Sequence, residues 1–294
     1  MHFTLKQLQA FVAAAQDCNV SRAARALSLS QSAVSTALAE LENHFGRPLF
    51  DRIGKRLQLN ETGKQLLPRA INLLTEAEEL EHYARSGDAI GHFRIGATLT
   101  IGNYLAPGLI GAYMRQYAQS RIHLKVANTS QIIDGMRRFE LEIGLIEGEC
   151  YDPDIQALPW CDDEMVLFCA PTHPLAGRKD VNLEQLAQQD WILREPGSGT
   201  RALFDRAVTG RLARLNIQLE LEHTEAIKRA VECGLGIGCI SRLALQEAFR
   251  RGSLQAIATP YFDLRRRFYF LLHRQRQRTQ GIERFLSLCR QTAD

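Results

Sequence analysis

The sequence lacks an apolar run of the roughly 18 residues that a membrane-spanning helix needs. Its first residues also lack the basic and then apolar pattern of a secretory signal. We therefore expect a cytoplasmic protein that has no membrane partner. The seven cysteines are odd in number and scattered over 294 residues, which is not the pattern of a disulfide framework.

Motifs of catalysis and of metal binding are missing as well. The eight histidines and seven cysteines form no H-E-x-x-H or C-x-x-C motif, so we expect no zinc site. The chain has neither a phosphate loop of the G-x-x-x-x-G-K-[ST] type nor a recognisable pair of nucleophile and base. These absences argue against an enzyme and against a resident cofactor.

The charge that is present is unevenly distributed. The whole chain carries a formal net charge of only +3. Residues 1–60 hold seven basic and four acidic side chains, a net of +3, whereas residues 61–90 hold three basic and six acidic ones, a net of −3. A basic segment of this size binds phosphates weakly as one copy, so nucleic-acid binding would favour a dimer.

The stretch from Val20 to Phe45, VSRAARALSLSQSAVSTALAELENHF, predicts two short helices joined by a tight polar turn. We expect Ser21 to cap the first helix and Ser30 to cap the second. The buried stripe of the second helix is Val34, Leu38, Leu41 and Phe45. Its outer face is small, polar and uncharged: Gln31, Ser32, Ser35, Thr36 and Ala39. Such a face can approach base edges closely, although an ordinary helical hairpin is the alternative.

A first helix over Leu5 to Asp17 would support this pair, and LFDRIGKRLQL reads as a two-stranded wing about a turn at Gly54-Lys55. Basic side chains on the wing could contact phosphates or remain solvated. The predicted DNA-binding residues are Ser21, Arg22, Ser30, Gln31, Ser32, Ser35, Thr36, Arg52 and Lys55.

A long helix follows, with Asn60 as its cap and an end near Arg85. Its apolar residues recur with the 4,3 spacing of a heptad repeat, Leu at d and Ala at a, over about three heptads. The predicted seam is Leu66, Ala70, Leu73, Ala77, Leu80 and Ala84. Such a seam suits packing against a second copy of the chain, although an amphipathic surface helix is the alternative.

Residues Leu5 to Asn60 resemble the winged helix-turn-helix domain of the LysR-type transcriptional regulators. The resemblance rests on the SQSAVS turn, the G-x-P-L-F-x-R entry to the wing and the chain length. The blocks TIGNYLAP, IGLIEG, LREPGSGTR and GLGIGC are similar to the subgroup that contains the CysL, YeiE and CbbR regulators. The resemblance implies that Arg52 lies near the minor groove or the phosphates. Thr36 departs from the family pattern, which commonly has a basic residue there.

From His92 onward, short apolar strands alternate with helices in two successive sets, which predicts α/β lobes with mostly parallel strands. We expect an all-α winged helix-turn-helix domain at residues 1–60, a linker and dimerisation helix at 61–87, and an α/β bilobal, periplasmic-binding-protein-like effector domain at 88–294. Lobe I would span about 91–163 and 265–294, and lobe II about 164–264. The resemblance implies chain crossings near Asp163 and Pro260.

Hydroxyl side chains stand where several predicted strands give way to helices, at the edge that faces the crevice in open α/β sheets. They are Thr98, Thr100, Thr129, Ser130, Ser198, Thr200 and Thr224. Helix N-termini attract anions, so the pattern predicts a small anionic effector between the lobes. Arg194 would add charge, and Glu147 would orient a protonated ligand oxygen. Each hydroxyl could instead serve only as a helix cap.

These features predict a regulator that binds double-stranded DNA at a dyad-symmetric promoter site and senses a small metabolite. The resemblance makes a sulfur oxyanion such as sulfite the first choice of effector. Further expected partners are a second copy in a homodimer, a homotetramer built from it, and RNA polymerase. One alternative is a redox regulator using Cys233 and Cys239, which frame GLGIG. A free-standing solute receptor is another, and the helix-turn-helix argues against it.

Overall fold

The computed structural model describes residues 3–53, 56–86, 92–212 and 214–292. Its N-terminal part contains α1 (Leu5–Asp17), α2 (Val20–Ala26), α3 (Gln31–Phe45), β1 (Phe50–Ile53), β2 (Arg56–Leu59) and α4 (Glu61–Ser86). Strands β1 and β2 pair in antiparallel fashion, as predicted for the wing. The predicted turn at residues 54–55 and the boundary at 87–88 lie outside the described residues.

Hydrogen bonds from side chains fix where the two helices of the hairpin begin. The Ser30 side chain accepts from the Ala33 backbone N–H at 3.1 Å, which confirms it as the cap of α3. The prediction that Ser21 caps α2 is wrong. The helix begins earlier, and the Asn19 side chain accepts from the Arg22 N–H at 3.1 Å. Since Asn and Ser are equally good caps, the path of the chain decides between them.

The segment from α1 to β2, called the head below, has its own apolar core. It includes Leu8, Phe11, Ala14, Ala23, Val34, Leu38, Leu41 and Leu49. The Asn60 side chain accepts from the Gly63 N–H at 2.9 Å, so the predicted cap of α4 is confirmed. The first turns of α4 pack on the head through Leu67 and Ile71.

The remaining chain forms the receptor part. Its elements are β3 (His92–Ala97), α5 (Leu99–Tyr104), α6 (Ala106–Gln116), β4 (Arg121–Val126), α7 (Thr129–Arg137), β5 (Ile143–Glu147), β6 (Ile155–Cys169), α8 (Leu183–Ala187), β7 (Asp190–Arg194), α9 (Gly199–Val208), β8 (Asn216–Leu221), α10 (Thr224–Glu232), β9 (Ile237–Ser241), α11 (Arg242–Arg251), β10 (Gln255–Ile257), β11 (Arg265–His273) and α12 (Gln280–Gln291).

Two lobes share the long strand β6. In lobe I the strand order is β4-β3-β5-β11-β6, and in lobe II it is β6-β9-β7-β8 with β10 on β6. Residues 155–164 of β6 pair with β11, and residues 165–169 pair with β9 and β10. The chain therefore crosses between the lobes at Glu164-Met165. It returns at Leu264-Arg265, where the Met165 N–H donates to the Leu264 carbonyl at 2.9 Å.

Each lobe combines parallel and antiparallel strands. Strand β3 is parallel to β4 and β5, and β7 is parallel to β8 and β9. The pairs that involve β6 or β11 are antiparallel. Helices α5 and α6 are separated at Leu105, and Pro107 stands in the first turn of α6, where its missing N–H costs no hydrogen bond.

The head docks on lobe I of its own receptor part, and Phe139 lies at the centre of this junction. Its ring is 4% exposed and belongs to the apolar cluster of the head. Its carbonyl accepts from Gln16 of α1 at 3.3 Å and from Arg94 and Arg276 at 3.3 and 3.2 Å. The φ angle of Phe139 is +57°, an unfavourable value for a bulky side chain. A dense set of contacts therefore holds this residue in place.

Candidate DNA-binding surface and interlobe site

The outer face of α3 is open to solvent. Gln31, Ser32, Ser35 and Thr36 are all exposed, whereas Val34 of the buried stripe is fully covered. The Ser21 hydroxyl donates to the Gln31 side-chain oxygen at 3.1 Å, so α2 helps to orient the amide that leads this face. The exposed hydroxyl and amide groups of this face can hydrogen-bond base edges in a major groove.

The other predicted DNA contacts lie around this face. Ser30 and Arg22 are exposed at the starts of α3 and α2. Arg52 belongs to strand β1, but its side chain is not described, and Lys55 lies outside the described residues. The exposed residues among the predicted DNA contacts therefore lie in the first turns of α2 and α3.

The predicted dimer seam divides into two parts along α4. Ala70 is 2% exposed inside the core of the head, and Leu66 is partly buried against it. Ala70 thus offers no surface to a second copy, because its own domain already covers it. Farther along, Leu73 is 43% and Leu80 is 70% exposed. The partly buried Ala77 and the exposed Ala84 complete this apolar stripe, which begins at Leu73.

A buried guanidinium stands where the chain returns from lobe II to lobe I. The Arg266 side chain is only 2% exposed and forms ion pairs with Glu147 at 3.0 Å and with Asp163 at 2.7 Å. It also donates to the hydroxyl of Thr200 at 3.0 Å and to that of Thr100 at 3.4 Å. Arg266 therefore contacts residues from both lobes and from the crossing strand.

The Glu147 carboxylate lies at the centre of the same network. One oxygen accepts from the Thr100 backbone N–H at 2.7 Å. The other accepts from the Thr200 hydroxyl at 2.9 Å and from Arg266. Burial by itself opposes ionisation of this group, but the Arg266 charge and the threonine hydrogen bonds hold its pKa below the ordinary value. Glu147 is therefore a buried carboxylate ion that links the two lobes.

The lobes touch beside this network through the N-termini of α7 and α9. The Gly199 N–H donates to the Thr129 hydroxyl at 3.1 Å, and the Ser130 N–H donates to the Gly197 carbonyl at 3.3 Å. A Cβ atom on Gly199 would lie 2.2 Å from the Glu147 carbonyl oxygen. Glycine at 199 is thus required for this close approach.

A cleft of about 1040 Å³ opens to solvent in front of these contacts. Four of the predicted effector residues line it: Thr129, Ser130, Glu147 and Ser198. Thr100 and Thr200 join them through hydrogen bonds to Glu147. Its lining also holds charged side chains of both signs: Arg206, Arg265, Arg267, Glu149, Asp162, Asp163, Glu164 and Asp263.

The other three predicted effector residues neither line the cleft nor bond to Glu147. The Thr98 hydroxyl donates to the Leu145 carbonyl within lobe I at 3.4 Å. Arg194 is buried and forms an ion pair with Glu195 at 2.8 Å. Thr224 is buried at the start of α10. Sequence reasoning also missed Arg266, which stands between two outward-facing arginines on a strand.

The cysteines are free thiols. Burial raises the pKa of Cys239 far above its ordinary value, and a thiol that stays protonated reacts slowly with oxidants. Cys233 is exposed, so the two cysteines of the proposed redox pair lie in different environments. Among the described residues, His, Cys, Asp and Glu form no cluster that could hold a metal ion. No helix in the same ranges is long and apolar enough to cross a membrane.

Comparison with known families gives a match over most of the chain. The family described as LysR substrate binding domain matches residues 86–294. The family described as bacterial regulatory helix-turn-helix protein, lysR family, matches residues 5–64. The two matches correspond to the receptor part and to the head with the start of α4.

Curated relatives are similar over nearly their whole length. YeiE of Escherichia coli, named an uncharacterized HTH-type transcriptional regulator, is 44% identical over 98% of this chain and 98% of its own. The HTH-type transcriptional regulator CysL of Bacillus subtilis is 29% identical over 96% of this chain and 95% of its own.

Solved structures share the fold. The regulatory domain of Synechocystis CcmR, in complex with 2-PG, covers 69% of this chain and 98% of its own with a TM-score of 0.65 and 27% identity. A full-length OxyR variant from Pseudomonas aeruginosa covers 100% of this chain and 95% of its own with a TM-score of 0.74 and 22% identity. The OxyR likeness concerns the fold alone.

Proposed function

The chain belongs to the LysR family of bacterial helix-turn-helix transcriptional regulators, and from this premise we propose that it couples promoter binding to a small anion held between its receptor lobes. The observation that carries the proposal is the Arg266 guanidinium, buried between the lobes and hydrogen-bonded to hydroxyls from each of them. A buried cation that contacts both lobes binds an anion best when the lobes are closed.

The head supplies DNA binding. The exposed polar face of α3 reads bases in the major groove, and the basic side chains of the wing contact the phosphates. We propose a dimer through the apolar stripe of α4, which presents two heads to a dyad-symmetric site, and a homotetramer and RNA polymerase as further partners.

Base reading predicts a difference between specific and random DNA. Gln31→Ala and Ser35→Ala should each weaken binding to the operator by about 1 to 3 kcal/mol and leave binding to random DNA nearly unchanged, because the DNA contacts that they remove are contacts to bases. Fluorescence anisotropy with both DNAs measures the two affinities.

Arg52→Ala tests a predicted phosphate contact in the same measurement, for comparison with the two base-contact variants. It should weaken binding to both DNAs and reduce the salt dependence of the affinity. Equal losses on operator and random DNA for Gln31→Ala would contradict the assignment of α3 as the base-reading helix.

The receptor part supplies effector binding. We propose that the anion binds to Arg266, with the Thr100 N–H and the Thr200 hydroxyl as donors and with Thr129, Ser130 and Ser198 at the rim. Sulfur oxyanions, sulfite first, fit a site whose donors are hydroxyls, N–H groups and a guanidinium. The complex of CcmR with 2-PG supports a small-molecule effector in this fold.

Removal of a donor hydroxyl should lower effector affinity. Thr200→Val should weaken sulfite binding by about tenfold, since a hydrogen bond to a charged group contributes about 1.5 to 3 kcal/mol. Thr100→Val should weaken it less, because it keeps the backbone N–H and removes only the hydroxyl that accepts from Arg266. Isothermal titration calorimetry on the full chain measures the effect. Thr98→Val is the control, because the Thr98 hydroxyl bonds within its own lobe and should leave the affinity unchanged. Unchanged binding in both test variants would contradict the proposed site.

The function as a whole is tested on the DNA upstream of the protein's own gene. Gel shifts are run with sulfite, sulfate, phosphorylated sugars and chloride, each with and without reductant. An anion-specific change in the bound complex supports the proposal. A change that depends on the reductant alone would favour the redox alternative instead.

A further inference from the structure

Glu147 occupies the position between the lobes that an effector anion would be expected to take. Its carboxylate is 2% exposed and receives three donors, from the Thr100 N–H, the Thr200 hydroxyl and the Arg266 guanidinium. These donors come from lobe I, from lobe II and from the returning strand β11. The side chain therefore ties the lobes together in the way expected of a bound anion.

The charges of the network decide whether a second anion can bind next to Glu147. Arg266 already serves two buried carboxylates, those of Glu147 and Asp163. An anion added beside them would place three negative groups against one guanidinium, at a site where burial strengthens their repulsion. An anion that replaces the Glu147 carboxylate leaves the charge of the site unchanged. Replacement is therefore favoured over addition.

The surroundings allow the Glu147 side chain to leave. Glu147 lines the open cleft of about 1040 Å³, so a rotated carboxylate would reach solvent. Arg206 and Arg267 also line that cleft. Arg206 is loosely held, since its nearest carboxylate, that of Glu149, is 4.0 Å away and both side chains are largely exposed. A displaced Glu147 would thus enter a solvent-filled space that holds both basic and acidic side chains, and Arg206 is the basic one with the weakest existing ion pair.

We propose that Glu147 is an internal surrogate for the effector: its carboxylate holds the two lobes together when no effector is bound, and the effector anion binds by displacing it. This inference rests on the proposed function, because it concerns the same site. It makes Glu147 a determinant of affinity and specificity. Anions too weak to compete with a tethered carboxylate are excluded, and sulfite must provide more hydrogen bonds than the carboxylate does.

Chemical rescue tests the proposal on the full chain. Glu147→Ala removes the carboxylate and leaves an empty space, called the seat below, between the Thr100 N–H, the Thr200 hydroxyl and Arg266. These donors lose their acceptor, so the variant should melt at a lower temperature than the wild type. Formate, acetate or sulfite should fill the seat and raise the melting temperature in a saturable way. Chloride at the same ionic strength serves as the control for salt effects.

Two further variants separate the seat from general effects of salt. Glu147→Gln keeps the side-chain volume without the charge, so it should be destabilised and should not be rescued, because the amide fills the seat. Glu149→Ala removes a nearby exposed carboxylate and should behave like the wild type. If Glu147→Ala folds only when refolded with formate and not with chloride, that result also supports the surrogate role.

Several outcomes would overturn the proposal. They are the absence of any anion-specific recovery in Glu147→Ala, an equal recovery in Glu147→Gln, or the same dependence in the wild type. The proposed function fails separately. If Glu147→Ala is rescued but the wild type binds no anion of the panel, the surrogate role stands and the effector class is wrong. If the wild type binds sulfite and Glu147→Ala is not rescued, only the surrogate role is wrong.

Discussion

Replacement of Arg266 by Met is expected to destabilise the receptor part by about 3 to 5 kcal/mol, the usual cost of removing one partner from a buried ion pair. The variant leaves Glu147 and Asp163, at 2% and 9% exposure, without their shared cation. Denaturation of the full chain with urea, followed by tryptophan fluorescence, measures the loss. Arg265→Met is the control. Its side chain is 81% exposed in the ion pair with Asp263, so the variant should be nearly as stable as the wild type.

The loss should also depend on pH. In the wild type, burial opposes ionisation of Glu147, but Arg266 lowers its pKa below the ordinary value. Its stabilisation is therefore present above that ordinary value and lost as the pH falls through the lowered one. Without Arg266, burial raises the pKa, so the variant should become less stable as the pH rises from about 4 to 7. A difference between the two proteins that is constant over this range would contradict the role of the pair.

Leu73→Glu is expected to have the largest effect on DNA binding. Leu73 is 43% exposed on α4, and in the proposed seam each copy of the new carboxylate would be buried against the other chain. The dimer should dissociate, and operator affinity should fall by about a hundredfold or more, because two linked heads bind far more tightly than one. Sedimentation velocity and operator titration measure the two effects.

The matched control is Gln65→Glu, which adds the same charge at an exposed position of the same helix, outside the seam. It should leave both the dimer and the operator affinity unchanged. If the receptor parts keep the Leu73→Glu chains together, the operator affinity should still fall. An intact dimer with full operator affinity would show that α4 does not pair the heads.

The parts of the fold that the sequence predicted well are those determined by local pattern. The stripe of α3 repeats at helical spacing, and the Ser30 and Asn60 caps act on residues three positions away. The first half of β6 has no clear strand pattern, because Pro159 and the acidic pair Asp162-Asp163 interrupt its apolar residues. Its pairing partner, β11, lies about a hundred residues later in the chain, and no local pattern reveals such a contact.

The role of Arg266 was missed for a related reason, although a signal was available. In RRRFYF the alternation of a strand places Arg266 on the same face as Phe268 and Phe270, which are fully buried. The outer two arginines point to solvent. The period of the strand therefore singles out the middle arginine, but only the tertiary structure shows which carboxylates surround it.

The segment from Thr129 to Glu147 has both of its ends in the cleft and Phe139 at its far turn. Helix α7 spans nine residues of it, about 13 Å at 1.5 Å per residue. A helix of that length is rigid. Phe139 lies just beyond its C-terminal end, and the Phe139 ring packs in the core of the head. A shift of α7 at the cleft would therefore also change how Phe139 packs against the head.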